Sequence, residues 1–389
     1  MQKVREKWMK VATILFTYNR SWHTEQVLKA LSKNYVLPEI LFIFQDGIKG
    51  KEHEKEWKKV NLLINNVNFC PIKVIVSKEN KGLSKSILCG INYVFQDYDT
   101  IIVLEDDCVP TRNFIGFMNQ ALDKYWDSKI VYNVTGFGYS DKFERNKYDA
   151  YFVGRTSSWG WGTWKDRWDK FYPNPEDLNE IIFDEKKSKQ LATWGNDLPA
   201  MMKSQLNGLN DSWAVYWALY VIKNQGLCLA PYCSLIKNIG MDGTGVHCGT
   251  TNLYDVVTEC ANEKIYSFPD ELVLDFKTAF YFMERFGGYT AQNGDIGQKP
   301  VIVYGLGYYF RQNEKYLCNQ YYIKGFVDRA KNGYYAGKKI IDLDDIHLYS
   351  DCQILILIID MNESEKVSKS LSEDYGIKKE KISRIIIEN

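Results

Sequence analysis

The residues best placed to do chemistry are three consecutive carboxylates, Glu105, Asp106 and Asp107, in the stretch Thr100-Ile-Ile-Val-Leu-Glu-Asp-Asp-Cys-Val-Pro110. The apolar run before them, Ile101 to Leu104, is rich in β-branched side chains and reads as a fully buried strand. Carboxylates at the carboxyl end of such a strand open into the crevice where α/β sheets bind ligands. Their mutual repulsion calls for a cation, and hard oxygen ligands of this kind suit Mg²⁺ or Mn²⁺. A metal held by one or two carboxylates completes its shell with water and substrate phosphates, so the stretch points to a nucleotide-diphosphate site. Taken alone, the triplet has a second reading as a solvated acidic turn.

Strands and helices must position these groups. Val11–Phe16 is a first buried strand running into Thr17, Tyr18, Asn19 and Arg20, and helical spacing follows at Val27, Leu28 and Leu31. Glu39–Phe44 is a second strand, ending in Gln45, Asp46 and Gly47, with a charged helix from about Lys51 to Asn65. Ile72–Val76 is a third, followed by Asn80, Lys81, Gly82 and a helix to about Phe95. The acidic strand is the fourth. This alternation is that of right-handed βαβ units and predicts a mainly parallel sheet with polar groups gathered at one end of its strands.

Composition narrows the class. In 389 residues, 49 Lys plus Arg balance 49 Asp plus Glu, which removes any bulk electrostatic case for nucleic acid. Aromatic residues make up 15%, with 27 Tyr and 11 Trp, and aromatic faces are the usual platform for sugar rings. The nine cysteines form no CxxC pair, which argues against a disulfide framework and for a reducing cytosol. No apolar run approaches the roughly 20 residues of a membrane span. The basic start, with Lys3, Arg5, Lys7 and Trp8, lacks the apolar core of a signal peptide. It is expected to be a solvated lead-in, with contact to an anionic membrane surface as the alternative.

The ordered set Phe-Thr-Tyr-Asn-Arg20, Gln-Asp-Gly47, Asn-Lys-Gly82 and Glu-Asp-Asp107 resembles the nucleotide-sugar glycosyltransferases of the GT-A fold. More narrowly it is similar to family 2 transferases and the relatives of N-acetylglucosaminyltransferase I, over about residues 11 to 260. It departs from the family 2 pattern where Gln45 stands in place of an Asp before Asp46. The resemblance implies a Rossmann-like mixed, mainly parallel sheet flanked by helices, and Mn²⁺ or Mg²⁺ as cofactor. It implies that Thr17, Asn19 and Arg20 lie beside the nucleotide and that Asp46 accepts hydrogen bonds from the base. Asn80, Lys81 and Gly82 join the donor-binding set, Asp107 is the direct metal ligand, and Asp106 and Glu105 face the ribose and donor sugar. A divalent cation neutralises a leaving diphosphate, so no protein acid is needed there.

Further along, Gly154-Arg-Thr-Ser-Ser-Trp-Gly-Trp-Gly-Thr-Trp-Lys-Asp-Arg-Trp168 interleaves tryptophan with glycine and fits neither a clean helix nor an exposed strand. Similar Ser-Trp-Gly-Trp segments in family 2-like transferases sit by the donor and acceptor sugars. About half of these indoles are expected in the core, with Trp159 and Trp161 facing the cleft. Residues 173 to 208 are polar and helix-prone, as a lid or peripheral insertion. Asp211 stands in N-cap position before a strong helix, Ala214 to Asn224, and a cap explains it by itself. In inverting GT-A enzymes an acidic residue at this place in chain order is the general base that takes the acceptor hydroxyl's proton. The glycine-rich segment Asn238-Ile-Gly-Met-Asp-Gly-Thr-Gly-Val-His247 ends in one of four histidines. It reads as a loop able to close over the diphosphate, with His247 as a metal or phosphate contact or as a structural donor.

The expected domains are residues 1–286 for the transferase, a linker at 287–299, and a small Rossmann-like α/β domain at 300–389. In the last, Gly305 and Gly307 follow a strand and Asp328 ends the next, at roughly ribose-binding distance. Phe310 replaces the third glycine, which favours a packing or partner module over dinucleotide binding.

The expectation is therefore a metal-dependent glycosyltransferase, inverting, that works on bacterial surface glycans from the cytoplasm or the inner face of the membrane. Its donor is a nucleotide sugar, a UDP-sugar first, and its acceptor a carbohydrate or lipid-linked glycan. The rival expectations are a sugar nucleotidyltransferase, disfavoured because Asn19-Arg20-Ser21 follows strand one in place of a glycine-rich signature loop, and a catalytically inactive glycan-binding protein.

Overall fold

The computed structural model describes residues 9–139, 147–184, 191, 194–195, 197–206, 211–243, 256–259, 262–274, 300–307, 310–311, 317, 322–335, 338–358 and 360–384. It divides into two compact units, Met1–Glu180 with Met201–Asp275, and Ile181–Ala200 with Phe276–Asn389. The expected linker at 287–299 lies outside the described residues, as do the basic start and most of the aromatic helix expected from Leu272 to Phe286.

The first unit is built on an eight-stranded sheet of order β3-β2-β1-β4-β8-β6-β9-β7. Its parallel half holds β1 (Val11–Thr17), β2 (Leu41–Gln45), β3 (Ile72–Val76) and β4 (Thr100–Glu105). These strands pair in parallel throughout, as the βαβ spacing predicts. The helices between them are α1 (Ser21–Leu31), α2 (Glu54–Asn65) and α3 (Leu83–Val94). Every residue of β1 is buried, and Ile101 to Leu104 of β4 are fully enclosed, as expected for central strands covered on both faces. The spacing read in the sequence for α1 is the one it buries: Val27, Leu28 and Leu31 pack into the main core with Leu15, Ile43, Ile102 and Leu104.

The other half is mixed. β6 (Val131–Thr135) runs parallel to β9 (Leu227–Pro231). β7 (Ala150–Val153) and β8 (Trp161–Trp164) run antiparallel to their neighbours. A two-stranded ribbon of β5 (Cys108–Pro110) and β10 (Ile236–Asn238) follows the acidic triplet, with Asn238 opposite Cys108. The remaining helices are α4 (Phe114–Lys124), α5 (Lys165–Trp168), α6 (Pro175–Phe183), α7 (Asp197–Leu206) and α8 (Trp213–Lys223).

The second unit holds a parallel sheet of order β12-β11-β15-β16, with β11 (Pro300–Tyr304), β12 (Tyr322–Val327), β15 (Gln353–Ile356) and β16 (Ile382–Arg384). A short hairpin of β13 (Tyr334–Tyr335) and β14 (Lys338–Lys339) lies beside it in chain order. Helix α9 (Met361–Glu373) is capped by Asp360, whose carboxylate accepts from Glu363 N at 2.9 Å. The core here is Ile302, Val327, Ile354, Ile356 and Val367 with their neighbours. Asp328 Oδ2 accepts from Leu306 N at 2.7 Å and its Oδ1 from Ala330 N at 3.0 Å. That carboxylate thus closes the turn at Gly305, whose φ of +106° suits glycine. No helix among the described residues is long and apolar enough to cross a membrane.

Candidate active site

Parallel pairing of four strands brings their carboxyl ends to one edge, and the polar residues there meet in two clusters. In the first, Arg20, at the N-cap of α1, reaches across to the end of β4. Its Nη2 donates to Asp106 Oδ1, and to Asp107 Oδ2 at 2.8 Å. Asp106 and Asp107 are both buried. Burial works against the guanidinium's charge, but the two carboxylates outweigh it and hold Arg20 charged above its usual pKa. One guanidinium cannot balance three carboxylates. Burial, with repulsion from Asp107 and Asp106, pushes the Glu105 carboxyl up to about 8. Arg20 Nη1 is itself buried and finds no partner among the described residues. The donor set is thus short of positive charge and retains one unused N–H face, which fits a divalent cation carrying phosphate oxygens. Among the described residues no group of three or more His, Cys, Asp and Glu already forms a cation cage.

A loop from β10 covers this cluster. Ile239 N donates to Asp107 O at 2.9 Å, and Gly240 lies so close that a Cβ there would be 2.1 Å from Asp107 Oδ2. Asp242 Oδ2 is 3.1 Å from Nε2 of His23, a buried residue of α1. His23 was not singled out in the sequence, although its spacing of three from Arg20 on one helix is the signal that could have found it. His247 and Thr244 lie outside the described residues.

The second cluster centres on Asp46. Its carboxylate accepts from Gly47 N at 2.9 Å, from Lys81 N at 3.0 and 3.1 Å, and from Gly82 N at 3.1 Å. Asn80 Nδ2 donates to Gly47 O at 2.8 Å, so the loops after β2 and β3 are tied together. Gly82 has φ +78°, and a Cβ on it would sit 3.3 Å from Asp211 Oδ2. Gln45 is buried, donating to Trp57 O at 2.8 Å and Tyr18 O at 3.2 Å and accepting from Asn61 Nδ2 at 2.8 Å. A carboxylate in its place could make only the last of these, which accounts for the departure at this position. Thr17 Oγ1 donates to Phe44 O at 3.1 Å, joining β1 to β2, and Asn19 lies in the bend between β1 and α1.

Two expectations are corrected. Asp211 is not the cap of the helix after it: Ser212 occupies the N-cap of α8. Asp211 is exposed, and its carboxylate turns to the first turn of α3, where Ser84 N lies 3.5 Å from Oδ2. Trp161 does not face a cleft. It opens β8, which is sandwiched between β4 and β6, and its indole is fully buried, stacked at 5.0 Å on Trp213 with Trp217 and Trp168 beside it. Trp164 and Trp168 are buried as well, whereas Trp159 is half-buried, edge-on to Phe137 at 4.7 Å.

Residues 13–184 match the model of glycosyl transferase family 2, a segment that ends before Asp211 and the loop around Gly240. No curated protein matches the chain. Among solved structures, the chain is similar to S. aureus TarS 1-349, at 12% identity over 59% of this chain and 59% of that one, with a TM-score of 0.34. It thus spans less than two thirds of the length of that fragment. It is also similar to the mannosyltransferase PcManGT from Pyrobaculum calidifontis, solved with GDP-Man and Mn²⁺, at 9% identity over 56% of this chain and 69% of that one, TM-score 0.32. A third is glucosyl-3-phosphoglycerate synthase from Mycobacterium tuberculosis, solved with Mn²⁺, UDP and glucosyl-3-phosphoglycerate, at 12% identity over 33% and 43% of the two chains, TM-score 0.23. The match makes residues 13–184, less than half of the chain, similar to glycosyl transferase family 2, and the mainly parallel half of the eight-stranded sheet lies almost entirely within that segment.

Proposed function

We propose that the chain moves a sugar from a nucleotide-diphosphate sugar to a carbohydrate acceptor with inversion, using Mn²⁺ or Mg²⁺, in bacterial surface glycan synthesis. The observation that carries this reading is the Arg20–Asp106–Asp107 cluster. It holds an excess of buried negative charge together with a guanidinium N–H that has no partner among the described residues, a pairing suited to a cation and a diphosphate side by side.

In this reading Asp107, with Asp106 beside it, holds the cation, which supplies the charge that stabilises the leaving diphosphate. Arg20 neutralises part of the carboxylate charge before donor arrives and offers Nη1 to a phosphate oxygen. Asp46 fixes the Asn80–Gly82 loop through its backbone N–H groups, so that the loop forms one wall of the donor site beside Thr17 and Asn19. Gly240, with no Cβ, lets its loop close over Asp107. Asp211, exposed beside the start of α3, takes the proton from the acceptor hydroxyl as that oxygen attacks the anomeric carbon. Trp159 is the one indole of the glycine–tryptophan segment left partly exposed for a sugar face.

The test is release of sugar from a donor panel led by UDP-GlcNAc and GDP-Man, with Mn²⁺, Mg²⁺ or EDTA. Metal-dependent release that Arg20→Ala weakens supports the reading, and release that survives EDTA undamaged removes it.

A further inference from the structure

A cavity of about 240 Å³ lies along one face of α8. Tyr216 and Tyr220, four residues apart, occupy that face over a floor made by buried Leu219. Opposite them stands Tyr172, whose ring is 81% exposed beside a concave surface. A ligand with an apolar face would cover that ring. Tyr220 is rigidly backed, stacked on Trp217 at 5.7 Å and packed on Phe171 at 5.5 Å.

The polar groups at the rim decide what kind of ligand fits. Lys223 Nζ is 2.7 Å from Asp177 Oδ1 and 3.9 Å from Glu180 Oε2, so its charge is already balanced, and among the described lining residues there is no other cation for a phosphate. Asn174 Oδ1 accepts from Glu176 N at 3.1 Å, which leaves its amide N–H groups directed by that bond. Aromatic faces with amides, and a lysine outnumbered by two carboxylates, disfavour an anion and match a neutral pyranose: its C–H face stacks on the rings while its hydroxyls meet the rim. The volume is below the ~300–1,000 Å³ of drug-sized sites, room for one ring of a longer chain.

Position links the cavity to the proposed chemistry. The helix begins beside Asp211, and Tyr216 and Tyr220 lie about 6 and 12 Å along its axis from Ser212. Tyr216 is hydrogen-bonded to Gln205, whose Oε1 also accepts from Ser212 N at 2.8 Å. A glycan whose terminal hydroxyl reached Asp211 would therefore extend along this face.

We propose that the Tyr172–Tyr216–Tyr220 cavity is a remote acceptor subsite that holds a neutral sugar unit one or two residues from the one being glycosylated. The proposal rests on the transfer reading only for the word acceptor. Saccharide binding at these rings stands without it.

The test is retention of the labelled full-length chain on an array of neutral and phosphorylated mono- to hexasaccharides. Wild type, Tyr172→Ala and Tyr172→Phe are compared. Tyr172 is exposed enough that neither change is expected to endanger folding, which melting temperatures check. Wild type is expected to bind neutral oligosaccharides, Tyr172→Ala to lose about tenfold in affinity, and Tyr172→Phe, which keeps the ring, to bind as wild type. No retained saccharide, equal binding by Tyr172→Ala, or binding confined to phosphorylated glycans overturns the proposal. Donor hydrolysis by the same preparation reports separately on transfer: binding without hydrolysis keeps the subsite and removes its acceptor role.

Discussion

Arg20 Nη2 donates to Asp107 Oδ2 at 2.8 Å while Nη1 of the same guanidinium, buried, has no partner among the described residues. The side chain is half committed to the protein and half available. Removing it leaves two buried carboxylates without their cation. Arg20→Ala is expected to cost about 3 kcal/mol of stability in the metal-free protein. Added Mn²⁺ is expected to restore part of that loss. Thermal melts with and without the metal check both, and a variant as stable as wild type contradicts the pairing.

The Glu105 carboxyl carries a pH signature. Its pKa is raised to about 8 in the folded chain, so between the ordinary value of 4.5 and about 8 the folded state binds more protons than the unfolded one. This contribution is complete below the lower value and is lost as pH rises through the window. The metal-free melting temperature is expected to fall from pH 5 to pH 8, with Glu105→Gln flattening that slope. A Mn²⁺-induced rise in melting temperature is expected to be larger at pH 8 than at pH 6, because ligand carboxylates must lose their protons.

Gly240→Ala is expected to separate loop closure from folding. A Cβ 2.1 Å from Asp107 Oδ2 forces either the loop or the carboxylate to move. Strain of about 1–3 kcal/mol follows, with a larger loss in donor turnover than in stability. Unchanged kinetics in Gly240→Ala contradicts the close approach of the loop to Asp107.

Asp211→Asn tests the base directly. Because Asp211 is not the N-cap of α8 and its one contact to α3, from Ser84 N, is long at 3.5 Å, the change is expected to move the melting temperature little while transfer falls by about 10²–10⁴. Ser212→Ala, at the actual N-cap, serves as the control. A fall in Tm without a loss of transfer in Asp211→Asn would leave Asp211 a structural residue.

The parallel half of the sheet was legible because apolar runs, β-branched residues and intervening helical spacing give the same answer at each step. Thr17 to Arg20, Asp46, Asn80 to Gly82 and Glu105 to Asp107 stand at strand ends for that reason. What was hidden depends on tertiary context. Trp161 has the composition of a ligand-facing indole, and only its antiparallel pairing with Val103 reveals that it lies mid-sheet. Asp211 has the local pattern of a cap, and the neighbouring α3, distant in sequence, redirects it. His23 has only its spacing of three from Arg20 as a local mark, since its partner Asp242 is 219 residues away in sequence.

The most direct test of the account is the metal dependence of donor turnover in wild type and Asp107→Asn. Sugar release from a nucleotide-diphosphate sugar that requires Mn²⁺ or Mg²⁺, stops in EDTA and is lost in a folded Asp107→Asn variant is the predicted result. Turnover by Asp107→Asn at the wild-type rate, or turnover indifferent to EDTA, contradicts it.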